Sequence, residues 1–209
     1  MPETSIASLD PQLQKRVESA RVALDRGRPE QALEHCLMVL QTRPDCLPVR
    51  KLERAAQLKL AALHRNVVAK LVRAVSSAPF ILGATLKLKD DPRAALETAE
   101  RLLRRDPHSV SALNLLGQAA TVLGWTETAI FAHQMASDLE PERIDLLISL
   151  GYAHLSGSQL AEAENTANEA LALQPNNPDA HKLLEAVLVA SASAKWEQGA
   201  AGTPRTSKV

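Results

Sequence analysis

The chain has 209 residues, equal numbers of basic and acidic side chains, and only 2% aromatic residues. A net charge of zero excludes an overall electrostatic attraction to nucleic acid or to a membrane surface. Alanine and leucine predominate, and this composition favours closely packed helices over a β-sheet. We therefore predict an all-α fold.

Residues 1–20 do not resemble a secretory leader, because they lack an apolar core of the required length. No run of about 18 apolar residues occurs in the chain, so we expect no transmembrane segment. The cysteines, Cys36 and Cys46, have no metal-ligand spacing and are typical of buried thiols in a reducing compartment. These observations predict a cytoplasmic protein without a cofactor or a metal site.

The first predicted elements are a flexible segment at residues 1–9 and a helix pair at residues 13–46. Asp10 and Pro11 supply an N-cap and a first-turn proline for the first helix of the pair. Pro44 ends the second helix, because proline cannot continue a helix.

Residues 47–75 form an irregular segment that contains no glycine and, after Pro48, no proline. Two alternative structures are possible for this segment. It is either a shortened helix pair with a turn near residues 64–66, which we favour, or one long helix.

Three blocks of equal length follow, at residues 76–109, 110–143 and 144–177, and turn residues divide each block into two helical patterns. The eighth residue of each block is glycine, the twentieth is alanine, and a proline follows the second helix. These residues are Gly83, Gly117, Gly151, Ala95, Ala129, Ala163, Pro107, Pro141 and Pro175. Each block therefore predicts two antiparallel helices joined by a turn.

The glycine column has a mechanical explanation. Glycine inside a helix costs about 0.5–1 kcal/mol relative to alanine, so its presence requires a compensating contact. Small residues at facing positions let two antiparallel helices approach closely. We therefore predict that Gly117 packs against the helix that carries Ala129.

This pattern resembles the tetratricopeptide repeat, a helix pair whose signature includes W-x2-L-G-x2-Y, A-x3-F and a closing proline. The tryptophan and tyrosine of the signature are absent from the first helices of the three blocks. The resemblance implies an all-α, right-handed solenoid of antiparallel helix pairs at residues 10–196. Residues 178–196 resemble the helix that caps such arrays, and we expect a flexible tail or linker at residues 197–209.

The resemblance also implies a concave groove, lined by the first helix of each pair, that binds an extended peptide or a partner helix. The groove lacks the cluster of Lys, Arg and Asn with which some family members bind chaperone carboxyl termini, so we expect a peptide of mixed polarity. The candidate groove residues are Phe80, Lys87, Ser111, Asn114, Gln118, Thr121, Asp145, Ile148, Tyr152 and Lys182.

Charge is distributed unevenly along the chain. Residues 47–75 contain seven basic side chains and one acidic side chain, whereas residues 110–178 contain one basic and eight acidic side chains. The explanations left open are solvated faces, steering of a protein partner or homo-oligomers formed through the basic and acidic ends, and contact with RNA or an anionic membrane. We do not expect nucleic acid, because interleaved aromatic residues are absent. The basic residues are Arg50, Lys51, Arg54, Lys59, Arg65, Lys70 and Arg73.

The sequence contains none of the common nucleotide-binding, nucleophile-elbow or zinc-protease motifs. Its histidines are scattered, and we expect His133 and His154 to be hydrogen-bonded within helix interfaces. The leading interpretation is a non-catalytic scaffold or adaptor that binds a protein or peptide. The alternatives are an adaptor that associates with RNA or an anionic membrane through residues 50–73, and the recruiting arm of a longer enzyme.

Overall fold

The computed structural model describes residues 3–63 and 78–201. These residues are predominantly helical, and no strand occurs among them. The predicted all-α class, built from antiparallel helix pairs, is confirmed. A short 3-10 helix, Ile6–Ser8, precedes α1 (Pro11–Asp25), α2 (Pro29–Thr42), α3 (Leu47–Leu63), α4 (78–86), α5 (Pro92–Arg105), α6 (Val110–Leu123), α7 (Thr126–Leu139), α8 (Ile144–Ser156), α9 (Leu160–Leu173) and α10 (Pro178–Ala201).

An Asp or Asn followed by proline starts several of these helices. The Asp10 carboxylate accepts hydrogen bonds of 2.9 Å from two backbone N–H groups in the first turn of α1. Asp91 accepts one of 3.0 Å at the start of α5, and Asn177 accepts two of 3.0 Å at the start of α10. The following proline lacks an N–H group that would otherwise be unpaired. These dipeptides therefore determine where the three helices begin.

Left-handed backbone connects the two helices of three pairs, α1 and α2, α6 and α7, and α8 and α9. Gly27 follows α1 with φ 70°, and Gly124 follows α6 with φ 72°. Glycine adopts this conformation without the steric cost that a Cβ would bring. After α8, Ser158 takes the left-handed position with φ 58°.

The chain divides into two compact units, Met1–Leu139 and Glu140–Val209. In the first unit, α1, α2 and α3 share a core that includes Val17, Val39 and Val49. Cys36 and Cys46 lie in this core as free, buried thiols, as the sequence predicts.

The second unit has its own apolar core. Ala163 and Ala167 on α9 pack against Leu183 and Val187 on α10. A second cluster joins Leu147 on α8 to α9 and α10 through two further alanines. The small alanine side chains let the backbones of α9 and α10 lie close together.

The ends of the chain differ from the prediction. The expectation of a flexible segment at residues 1–9 is wrong for residues 3–9, since Thr4 and Leu9 are buried. The Thr4 N–H donates a hydrogen bond of 3.0 Å to the Asp45 carbonyl oxygen. The expected end of the last helix at residue 196 is also wrong, because α10 continues to Ala201. The proposed turn near residues 64–66 lies outside the described residues.

Candidate functional site

Gly117 is in close contact with the partner helix of its pair. A Cβ placed on Gly117 would lie 2.5 Å from Nε2 of His133 on α7, so no larger residue fits without movement of the imidazole ring. His133 lies one turn beyond Ala129 on the same helix. The predicted close approach of α6 to the helix of Ala129 is therefore confirmed, and His133 is the residue that occupies the space.

The other two glycines of the column differ from each other. A Cβ on Gly151 would lie 2.3 Å from Cδ2 of Leu183, so α8 is closely packed at this position. A Cβ on Gly83 would meet no atom within 4 Å. The predicted close contact at Gly83 is wrong, because the surface of α4 is open at this position.

Helix α3 buries polar side chains where the repeat pattern calls for apolar or small ones. Counted from Leu47, the fourth, seventh, eighth and eleventh residues are Arg50, Glu53, Arg54 and Gln57, and all four are buried. The sequence gives no sign of this buried group, because apolar periodicity is the signal for buried positions and charged residues carry no such signal.

These polar side chains contact α5 and the turn that follows it. Arg50 forms an ion pair with Glu100. Arg54 donates a hydrogen bond of 2.6 Å to the carbonyl oxygen of Pro107, and Arg104 lies 3.8 Å from the Glu53 carboxylate. Within α3, Gln57 donates a bond of 3.0 Å to Glu53.

Burial and mutual charge determine the protonation of this cluster. Burial raises the pKa of the Glu53 carboxyl, and the charges of Arg50, Arg104 and Arg54 offset part of that rise. Burial lowers the pKa of Arg54 to about 10. A guanidinium with this pKa remains charged at neutral pH, so the cluster is an internal electrostatic contact between α3 and α5.

The predicted basic patch at residues 50–73 needs correction. Arg50 and Arg54 are only 1% and 2% exposed and use their charges internally. Lys51 and Lys59 are exposed. The Lys51 ammonium lies 5.4 Å from the centre of the Phe131 ring, and Lys59 donates a bond of 3.2 Å to the carbonyl oxygen of Leu24. Arg65, Lys70 and Arg73 lie outside the described residues.

The candidate groove residues of α6 lie on its accessible side. Ser111 and Thr121 are exposed, and Asn114 and Gln118 are half-buried one turn apart on the same face. The Oδ1 atom of Asn114 is buried and accepts no hydrogen bond. Phe80 on α4 and Lys87 just after it are also exposed.

In the second unit, two candidate residues lie on α8 and α10. Tyr152 and Lys182 are both exposed. A hydrogen bond to Asp179 is the main cause that raises the pKa of Lys182.

The remaining two candidates of this unit already have partners. Arg143 holds the Asp145 carboxylate with two bonds, of 2.8 and 2.9 Å, and these bonds are the main cause that lowers the pKa of Asp145. Ile148 packs against the cluster that contains Leu147 and Ala180.

The two interface histidines differ in hydrogen bonding. Nδ1 of His154 lies 2.7 Å from the Gln159 side-chain oxygen, as expected for a hydrogen-bonded histidine. The expectation is wrong for His133, whose buried Nδ1 has no hydrogen-bond partner. Burial lowers the pKa of His133 to about 4, so its ring is neutral at neutral pH. Among residues 3–63 and 78–201, no group of three or more His, Cys, Asp or Glu could hold a metal ion.

Known proteins are similar to this chain over some of the same helices. A sequence profile of the tetratricopeptide repeat matches residues 89–134, which cover α5, α6 and most of α7. Residues 89–134 of this chain match the tetratricopeptide repeat. Such repeats build extended binding surfaces, and proteins that contain them act as protein–protein interaction modules. No curated protein matches the chain.

Solved structures of repeat domains are similar in fold. The first tetratricopeptide domain of Spaghetti (RPAP3), bound to the HSP90 peptide SRMEEVD, has a TM-score of 0.50 and 19% identity, and the match covers 62% of this chain and 98% of that chain. The first such domain of human RPAP3 has a TM-score of 0.50 and 20% identity, covering 61% and 95% of the two chains. The TPR2AB domain of yeast Sti1, in a complex with pHSP90, has a TM-score of 0.52 and 16% identity, covering 86% of this chain and 69% of that chain.

In the part of the chain that the structure describes, no helix combines the length and the hydropathy needed to cross a membrane.

Proposed function

We propose that this repeat protein is a non-catalytic interaction module in which the first helices of the repeats bind an extended peptide or a partner helix. Asn114 carries the proposal. Its side-chain oxygen has an unused hydrogen-bonding capacity, and an unpaired buried polar atom costs about 1–3 kcal/mol. In this proposal a peptide N–H group donates the hydrogen bond that this oxygen lacks.

Gln118 extends the same recognition surface. It lies one helical turn after Asn114, and each carboxamide has both donors and an acceptor. Two such side chains in a row match the alternating N–H and C=O groups of an extended peptide. In the second unit, Tyr152 supplies an exposed aromatic ring and Lys182 supplies an exposed cation.

The charge of these repeats favours one class of ligand. Residues 110–178 contain eight acidic side chains and one basic side chain, so they repel an acidic peptide such as the HSP90 segment bound to the Spaghetti domain. We propose a neutral or basic peptide with apolar side chains for this chain.

A retention experiment with matched variants tests this proposal. Immobilised wild-type protein and the variant Asn114→Ala/Gln118→Ala/Tyr152→Ala are incubated with lysate of the source cell. Exposed residues of the second helices provide the control variant Gln134→Ala/Asn168→Ala/Leu173→Ala. We expect a protein that wild type and control retain and the groove variant loses. Equal retention by all three forms would contradict the proposal.

The location and the assembly of the protein are also proposals. We propose a cytoplasmic protein, supported by two buried cysteines that remain unpaired. Association of the basic end of one copy with the acidic end of another stays a prediction. Burial of Arg50 and Arg54 reduces the charge available for such association, and a sedimentation-velocity experiment at low and high salt measures it.

A further inference from the structure

Helix α10 carries apolar side chains on two sides. Its inner side packs against α9, where Leu183 and Val187 are fully buried. On its outer side, Leu188 is 53%, Val189 62% and Trp196 79% exposed. A helix that caps a repeat array needs a polar outer face to keep the array soluble, and a helix that is apolar on both sides is typically buried between two neighbours. The outer side of α10 therefore requires a partner.

The outer side chains of α10 form one continuous face. Residues three, four and seven positions from Leu188 point within about 60° of it, because a helix turns by about 100° per residue. A shallow groove along this face is lined by His181, Leu184, Glu185, Leu188, Val189 and Ala192. Lys195 and Trp196 continue the same face toward the carboxyl end of the helix and are exposed.

This outer face carries an acidic and a basic side chain at equal distances from its middle. Glu185 and Lys195 are both exposed, and they lie five residues before and five residues after Ala190. A rise of 1.5 Å per residue separates them by about 15 Å along the helix. Leu184 and Trp196 lie six residues before and after the same point. The outer face is therefore complementary, in charge and in apolar side chains, to a copy of itself that runs in the opposite direction.

We infer that a second copy of this chain packs its own α10, antiparallel, against the outer face of α10. When the two helices cross level with Ala190, Glu185 faces Lys195 of the second copy, and Leu184 faces Trp196 of the second copy. A two-fold axis repeats both contacts, as in an isologous interface. A parallel arrangement would place Glu185 opposite Glu185 and is disfavoured by the like charges. The inference does not rest on the proposed peptide groove, since no residue of α6 takes part in it.

Sedimentation velocity of the purified full chain tests the inference. The contact extends along about 22 Å of one helix and is small for a stable interface, so we expect a reversible dimer. The average sedimentation coefficient should rise as the protein concentration is raised from about 1 to about 200 µM. Because the sample contains no other protein, only self-association can cause this rise. A monomer at every concentration would overturn the inference.

A double variant removes apolar contacts of the outer face. Leu188→Ser/Trp196→Ser should weaken dimerisation at least about tenfold, because serine buries less apolar area. The control Leu139→Ser/Leu173→Ser changes side chains of other helices that are also exposed, at 39% and 46%, and should dimerise like wild type. All four positions are exposed, so circular dichroism should show unchanged helix content. Equal dimerisation of wild type and the α10 variant, or an equal loss in the control, would overturn the inference.

Charge reversal tests the antiparallel direction. Glu185→Lys and Lys195→Glu should each weaken dimerisation at least about tenfold at about 0.1 M salt, because each places like charges opposite one another. An equimolar mixture of these two variants should dimerise like wild type, because a copy with two basic side chains then faces a copy with two acidic ones. A mixture that associates no more tightly than the single variants would overturn the antiparallel pairing. A dimer that none of the α10 variants weakens would lie elsewhere in the chain and would overturn the inference as well.

Discussion

Gly117 and His133 form a contact in which each residue limits the size of the other. The imidazole occupies the space that a Cβ on Gly117 would need. The ring is buried, and its Nδ1 atom has no hydrogen-bond partner. The apolar contact between α6 and α7 therefore outweighs the cost of an unpaired ring nitrogen at this position.

Two glycine substitutions test this contact. Gly117→Leu should reduce the free energy of unfolding by about 3 kcal/mol or more, because it overpacks a closed helix interface. Gly124→Ala should cost about 1 kcal/mol, because the left-handed backbone at φ 72° disfavours a Cβ in an otherwise open turn. Urea denaturation measures both values. Equal stability of the two variants would contradict the assigned helix pair.

The lowered pKa of His133 makes the stability of the protein depend on pH. Its pKa is about 4 in the folded protein and about 6.5 in an unfolded chain. The unfolded chain therefore binds more protons between these values. The free energy of unfolding that depends on neutral His133 is fully present above about pH 6.5 and falls as the pH is lowered. Near pH 4 the free energy of unfolding has decreased by roughly 3 kcal/mol through this residue.

The variant His133→Gln isolates this contribution. The free energy of unfolding should decline less in the variant than in wild type when the pH falls from about 6.5 to about 4. Carboxylates contribute equally to both proteins, so the difference between the two curves reports on position 133. Parallel curves would show that His133 is not neutral in the folded protein.

At the scale of helices, α3 differs from its neighbours in the chemistry of its buried face. Arg50, Glu53, Arg54 and Gln57 occupy positions that are apolar or small in α6. A buried ion pair contributes little net stability, but removal of one partner leaves a charge without compensation. We therefore expect the cluster to be sensitive to single substitutions.

A double-mutant cycle measures this sensitivity. Arg50→Met should destabilise the protein by about 3 kcal/mol, because Glu100 loses its ion-pair partner. Adding Glu100→Met should restore part of the loss, with a coupling energy of about 1–3 kcal/mol. Thermal and urea denaturation of the four proteins give the coupling. Additive effects of the two substitutions would contradict the ion pair.

The helix pairs could be predicted from the sequence because their small residues, capping residues and prolines recur with a fixed period. The polar face of α3 could not, because apolar periodicity is the signal that identifies buried positions, and charged residues carry no such signal. Their partners Glu100 and Arg104 lie far along the chain. The exposure of α4 was also missed, since Gly83 fits the same column as Gly117.

For the whole molecule, the net charge does not show which charged side chains are buried and which are exposed. Arg50 and Arg54 lie inside the first unit, whereas the exposed lysines Lys87 and Lys89 follow an exposed apolar helix. Asn114 and Gln118, which carry the peptide proposal, lie on α6 in an acidic part of the sequence.

The proposed groove is tested most directly by site-specific photo-crosslinking in the source cell. A photoreactive phenylalanine analogue replaces Gln118 on α6 in one form and Gln134 on α7 in the other. We predict that a partner protein is crosslinked from position 118 and not from position 134. Crosslinking of the same partner from position 134 alone, or of no protein from position 118, would contradict binding along the first helices.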